Sequence, residues 1–188
     1  MKSILVDFDL LTGLSDERES VQRRLSDMDG MYADKDAYDA MIVRDDTLVY
    51  EFFDMGLPET EGGIAFGTSM TYPGKVGSEF FMTKGHFHSI LDTAEVYYCL
   101  RGKGIMLMED SEGNWEAREL EPGLAVYVPE GYAHRSINTS PDDTLVTFYA
   151  FRADAGHDYG TIETKGFRKI VVEKDGIAQV IDNPKWKE

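Results

Sequence analysis

The chain is poor in cysteine, histidine, proline and positive charge, and it has no long apolar run. Its 188 residues include a single cysteine, Cys99. No intramolecular disulfide can form, which fits a reducing cytoplasm. Lys plus Arg number 19 against 35 Asp plus Glu, a formal net charge of −16. Such a surface repels the phosphates of DNA, RNA and anionic membranes. Nucleic acid and membrane are therefore excluded as general partners, which leaves room for one small phosphate ester in a local pocket. No stretch approaches the ~18 consecutive apolar residues of a membrane helix. The opening MKSILVDFDLL places Asp7 and Asp9 among its apolar residues and reads as a poor signal peptide. These absences predict a soluble, cytoplasmic globular protein.

What is present points to strands. Aromatic content of 12% and 18 glycines suit a compact chain of short strands and turns. The length fits one domain. Residues 1–61 hold 16 Asp/Glu against 6 Lys/Arg, so the first third reads as a polar outer segment. Residues 1–46 are expected to form a helical or extended segment packed on a main domain at 47–188. In the first part, Ser15 is placed to cap a helix running to Gly30, with Leu14, Val21, Leu25 and Met28 at helical spacing. Residues 34–41 suit a second short helix. Beyond them the pattern predicts strands at Thr47–Phe53, Ile64–Tyr72, Glu79–Met82, Glu95–Arg101, Gly104–Glu109, Trp115–Leu120, Leu124–Val128, His134–Asn138 and Thr144–Phe151. A final hairpin at Arg168–Glu173 and Ala178–Ile181 turns through Lys174-Asp175-Gly176. Breakers such as Pro73-Gly74 and Glu121-Pro122-Gly123 separate most of them. The fold class is mainly all-β, a sandwich or barrel.

Four histidines carry the chemical signal. His86-Phe87-His88 on a strand places both imidazoles on one side. Glu95 follows seven residues after His88, and His134 follows Pro129-Glu130-Gly131. Three imidazoles and one carboxylate suit a borderline divalent ion, namely iron, manganese, zinc or nickel. Four protein ligands around an octahedral ion leave two positions open for water or substrate.

The run from Gly123 through Pro129, Gly131 and His134 to Asn138 matches the second cupin motif, G(x)5PxG(x)2H(x)3N, at every fixed position. His86, His88, Glu95 and Gly102 resemble the first motif, HxH(x)3–4E(x)6G, with six residues rather than three or four between His88 and Glu95. The chain thus resembles a cupin, and the resemblance implies a double-stranded β-helix or jelly-roll barrel. Phe81-Met82-Thr83-Lys84-Gly85-His86-Phe87-His88, Ala94-Glu95-Val96-Tyr97-Tyr98 and the stretch from Ala153 to Ile162 are similar, more narrowly, to the cupin-type phosphoglucose isomerases. That family also has the six-residue spacing. The likeness runs from about Tyr50 to Pro184.

The resemblance implies interconversion of glucose 6-phosphate and fructose 6-phosphate, one divalent metal per subunit with iron preferred, and a homodimer. His86, His88, Glu95 and His134 would be the ligands. Glu95 and Tyr97 would serve catalysis, Tyr97 sharing the inward face of Glu95 by strand alternation. Tyr50, Ser69, Thr83, Gly85, His157 and Tyr159 would contact phosphate and sugar, with Ser69 standing where the family usually has Thr. Alternation from His86 places Thr83 on the outer face unless the chain kinks at Gly85. Lys84, Arg135 and Arg152 read as solvated or structural, and Cys99 as a small buried hydrophobe. Three other readings stay open. They are a metal-dependent dioxygenase on the same barrel, a non-catalytic sugar-phosphate-binding cupin, and an isomerase for mannose 6-phosphate.

Overall fold

A computed structural model describes residues 3–186. The chain first forms a short strand, β1 (Val21–Arg24), followed by one 3-10 turn over Leu25–Met28. The helix expected from Ser15 to Gly30 is absent. Val21–Arg24 instead pairs antiparallel with β2 (Leu48–Asp54), Val21 opposite Phe52 and Arg23 opposite Tyr50. A neighbouring strand with open hydrogen-bonding groups outweighs a weak local helical preference. The helical spacing of Leu25 and Met28 survives in the 3-10 turn, where both side chains are buried.

Helix α1 (Lys35–Arg44) forms where the sequence predicts one. Asp34 caps it by accepting the Ala37 N–H at 2.9 Å, and Asp36 and Arg44 oppose the ends of its dipole. Its buried Tyr38 donates its hydroxyl to the Leu25 carbonyl at 2.8 Å.

The remaining strands are β3 (Ile64–Thr71), β4 (Lys75–Val76), β5 (Glu79–Phe80), β6 (Glu95–Arg101), β7 (Gly104–Asp110), β8 (Trp115–Leu120), β9 (Ala125–Val128), β10 (Tyr132–Asn138), β11 (Leu145–Arg152), β12 (Lys169–Lys174) and β13 (Ile177–Asp182). A six-stranded sheet runs β1-β2-β3-β11-β6-β9, a three-stranded sheet β10-β7-β8, and a four-stranded sheet β13-β12-β5-β4. All pairs are antiparallel. The β12–β13 turn is Asp175-Gly176, both with positive φ (55° and 76°), the geometry a tight two-residue hairpin requires. Two features lack a sequence signal: strand β4, which pairs with the expected β5, and helix α2 (Gly160–Lys165).

Alternation decides the interior. Along β6, Glu95, Tyr97 and Cys99 are buried while Val96 and Tyr98 face out. One apolar cluster gathers Cys99, Met106, Met108, Leu120, Val126 and Tyr149; another gathers Leu25, Met28, Tyr50, Phe81, Leu107 and Phe167. Each fully buried side chain of this size contributes about 1.5–3 kcal/mol. Residues of both clusters border one cavity.

Candidate metal centre and pocket

The cavity lies between the six-stranded sheet and β10 and measures about 170 Å³. Glu95 enters from β6 and His134 from β10. His86 and His88 arrive on the segment that bridges to β10, with His86 opposite His134. The four side chains each place a ligand atom within 4.8 Å of the others. His134 Nε2 lies 2.9 Å and His88 Nε2 3.1 Å from Glu95 Oε2.

The donor set fits a divalent cation. The Nε2 atom of His86 is buried and makes no hydrogen bond, a cost a protein does not carry without a compensating partner. On the other ring edge, His88 Nδ1 meets Thr93 Oγ1 at 2.7 Å and the Thr93 carbonyl at 3.1 Å, while His134 Nδ1 lies 3.5 Å from the Tyr132 carbonyl. Such outer partners fix each ring and turn Nε2 towards the cluster. Burial, with His134 and His157 beside it, lowers the His86 pKa and keeps the ring neutral, the form that ligates. Burial alone would raise the Glu95 pKa. His134, His88 and His86 outweigh it and hold the carboxyl below the usual range, so Glu95 is ionised.

Thr83 reaches the cavity through a bulge. Met82 pairs with Ile137 and His86 with His134, so four steps on one strand match three on the other. The extra residue is accommodated at Gly85, whose φ is +77°. The bulge reverses the alternation, and both Thr83 and Gly85 line the cavity. A side chain at Gly85 has no room: a Cβ there would lie 2.7 Å from Phe167 Cε2 and 2.9 Å from the His134 carbonyl oxygen. Thr83 Oγ1 accepts the Ser136 N–H at 3.1 Å, which leaves its own proton free to donate. The Lys84 carbonyl accepts from Arg135 Nη2. Because that peptide is trans, the Gly85 N–H points the opposite way.

His157 and Tyr159 flank Asp158, which pairs with Phe87. They therefore share the face of His86 and His88. The His157 ring lies 4.4 Å from His86 and stacks on Tyr159 at 5.8 Å. Tyr50, Ser69 and Tyr97 also line the cavity. Burial, and then Tyr159, push the Tyr50 hydroxyl up to about 12. Burial and the Glu95 charge raise Tyr97 well above its ordinary value. Both phenols are hydrogen-bond donors at neutral pH. Every residue singled out in the sequence thus lies at the cavity or, for His88, within the ligand cluster.

Five further lining residues escaped the motifs: Phe52, Asp54, Ser136, Tyr149 and Phe151. Phe52 and Asp54 share the parity of Tyr50, and Ser136 that of His134, so alternation could have found them. Tyr149 and Phe151 stand opposite Tyr97 and Glu95, a pairing only the sheet order reveals. The flanking cations are engaged elsewhere. Lys84 pairs with Glu163 at 2.8 Å and Arg152 with Asp154 at 2.6 Å. Arg135 is buried, with its guanidinium 4.1 Å from the centre of the Phe167 ring.

A profile described as Glucose-6-phosphate isomerase (GPI) matches residues 22–187. Curated relatives named glucose-6-phosphate isomerase include that of Thermococcus litoralis, 50% identical over 97% of this chain and 95% of the relative. That of Pyrococcus furiosus is 48% identical over 98% and 96%, and that of Thermococcus kodakarensis 47% identical over 100% and 98%. Among solved structures, an oxalate oxidase in complex with the substrate analogue glycolate shares 14% identity over 53% of this chain and 47% of its own, with a TM-score of 0.44.

Proposed function

Because this chain belongs to the glucose-6-phosphate isomerase family, we propose that its cavity interconverts glucose 6-phosphate and fructose 6-phosphate with a divalent metal held by His86, His88, Glu95 and His134. The observation that carries the reading is one pocket in which a buried three-imidazole, one-carboxylate cluster adjoins a wall of neutral hydroxyl and N–H donors.

The wall suits a phosphate dianion. Tyr50, Ser69, Thr83 and Tyr159 offer hydroxyls, the Gly85 peptide an N–H, and His157 a ring nitrogen. Close neutral donors of this kind hold an anion without a lysine cluster, which reconciles a phosphorylated substrate with a net charge of −16. The phosphate anchored there directs C1 and C2 of the open sugar towards the ligand cluster. A divalent ion held by the cluster, iron by preference with manganese, nickel or zinc as alternatives, would supply the positive charge that polarises a sugar carbonyl. Isomerisation moves hydrogen between C2 and C1. The ionised Glu95 carboxylate is the group able to take and return a proton, and the protonated Tyr97 hydroxyl is the group able to donate to a substrate oxygen. The apolar edges of Tyr149 and Phe151 limit water at the reacting end.

The proposal extends to assembly. The outer face of β6 and β9 exposes Val96, Tyr98 and Tyr127, the last 66% exposed, with Leu124 exposed in the turn just before β9. Phe8 anchors the N-terminal arm on the same sheet, 5.8 Å from Phe53 and 6.2 Å from Phe148, and Leu5, Leu10 and Leu11 stand out from that arm. An apolar surface of this kind suits a two-fold homodimer. A glycolytic substrate and a lone cysteine fit the cytoplasm.

A coupled assay tests the reading. Fructose 6-phosphate is supplied and glucose 6-phosphate is followed by NADP reduction with an auxiliary dehydrogenase, before and after EDTA and with each metal restored. Activity lost to EDTA and recovered with metal is expected. Absence of activity with every metal overturns the proposal and directs attention to other sugar phosphates and to O2 consumption.

A further inference from the structure

Resting on the isomerase reading, we infer that Arg23, delivered by β1, completes the phosphate end of the cavity as its cationic contact.

The placement follows from strand register. Arg23 stands directly opposite Tyr50 across the β1–β2 pair, and Val21 opposite Phe52. Opposed residues of an antiparallel pair project from the same face. On β2 that face carries Tyr50, Phe52 and Asp54, all of which line the cavity. The Arg23 guanidinium lies 5.8 Å from the centre of the Phe52 ring. Its charge acts on the hydroxyls of both Tyr50 and Tyr159, two of the wall's donors. The irregularity between Arg23 and Arg24 gives the end of β1 the local freedom to turn this side chain over the pocket.

Its partners leave it available. Nη1 donates to the neighbouring Gln22 carbonyl at 3.1 Å, and the guanidinium also hydrogen-bonds the Tyr50 hydroxyl, one of the wall's own donors. Among the described residues, no carboxylate pairs with Arg23, in contrast to Lys84 and Arg152, which are committed to Glu163 and Asp154. Arg135 is turned to the far side of β10 and bound to the Lys84 carbonyl. A half-buried arginine beside neutral donors, in a chain of net charge −16, is placed to attract a dianion and then hold it through its planar fork. The strand that the N-terminal residues form is therefore part of the binding site.

The test uses the metal-loaded protein and three variants: Arg23→Gln, Arg23→Lys, and Arg44→Gln, which removes the same charge from the exposed end of α1. KM and kcat are measured with fructose 6-phosphate, and inorganic phosphate binding is measured independently by calorimetry and as competitive inhibition. Loss of one charge-assisted contact raises KM about 10-fold or more in Arg23→Gln, with a parallel loss of phosphate affinity and a smaller change in kcat. Arg23→Lys recovers part of both, and Arg44→Gln matches the parent protein. Melting temperatures within about 3 °C keep folding out of the comparison, since Arg23 is partly exposed. Unchanged phosphate affinity in Arg23→Gln, or an equal loss in Arg44→Gln, overturns the inference. Failure of the isomerase reading shows separately, as a parent protein inactive with every metal. Phosphate calorimetry then still decides the role of Arg23.

Discussion

Replacing Gly85 by alanine places a methyl group where the structure has none to spare. The added Cβ meets Phe167 Cε2 at 2.7 Å, the His134 carbonyl oxygen at 2.9 Å and Arg135 Cβ at 3.0 Å. Two costs combine. A φ of +77° strains an alanine by about 1–2 kcal/mol, and relieving the contacts adds about 1–3 kcal/mol of overpacking. The expected loss is about 2–5 kcal/mol, or a melting-temperature fall of about 5–20 °C for a chain of this size. The displaced atom is the carbonyl of a proposed metal ligand, and it accepts the His86 N–H at 3.3 Å. Shifts of a few tenths of an ångström there misplace both rings, and kcat/KM falls by about 100-fold. Gly131 supplies the comparison. It has φ +75° but nothing within 4 Å of a Cβ, so Gly131→Ala pays only the strain of about 1–2 kcal/mol. Urea unfolding of both variants with the same metal, together with activity and bound-metal content, checks the argument. A Gly85→Ala protein no less stable than Gly131→Ala, with near-parent activity, would refute the steric reasoning.

Three further expectations follow from particular groups. Glu95→Gln keeps the fold but loses at least ~100-fold in isomerase activity and most of its bound metal; parent-level activity after chelation would remove the ligand cluster from the mechanism. Glu79 is buried, with Oε2 accepting the Ala33 N–H at 2.8 Å and Oε1 unpartnered, and burial pushes its carboxyl up to about 7. A folded pKa above the unfolded value of about 4.5 means that its stabilising contribution is complete below pH ~4.5 and lost as pH climbs through ~7, a change of about 3 kcal/mol. The Glu79→Gln protein should lack that decline in unfolding measurements across the same window, and identical pH profiles would show that Glu79 is not the group responsible. Finally, Tyr98→Asp combined with Tyr127→Asp converts a dimer into single chains of 21.2 kDa in sedimentation; a parent protein that already sediments as one chain refutes the proposed interface.

Much of this protein was legible in one dimension. Alternation along Glu95–Cys99, the breakers between strands and the Asp175-Gly176 turn are local properties, set by two-residue periodicity and the φ that glycine tolerates. His86, His88, Glu95 and His134 were legible for the same reason, since motif spacing preserves which side of a strand each member of the cluster occupies. Tertiary structure decided what depends on a distant partner. Val21–Arg24 is a strand rather than a helix because β2 offers it an open edge. Thr83 faces the cavity because pairing with β10 leaves one residue over, which Gly85 absorbs. Tyr149 and Phe151 reach the pocket because β11 lies beside β6, and Arg23 comes to stand opposite the pocket residue Tyr50 because β1 pairs with β2. Local propensity is encoded within a few residues, whereas sheet order and register are settled by burial and hydrogen bonds between residues far apart in the chain, and that is where this pocket acquires its full set of walls.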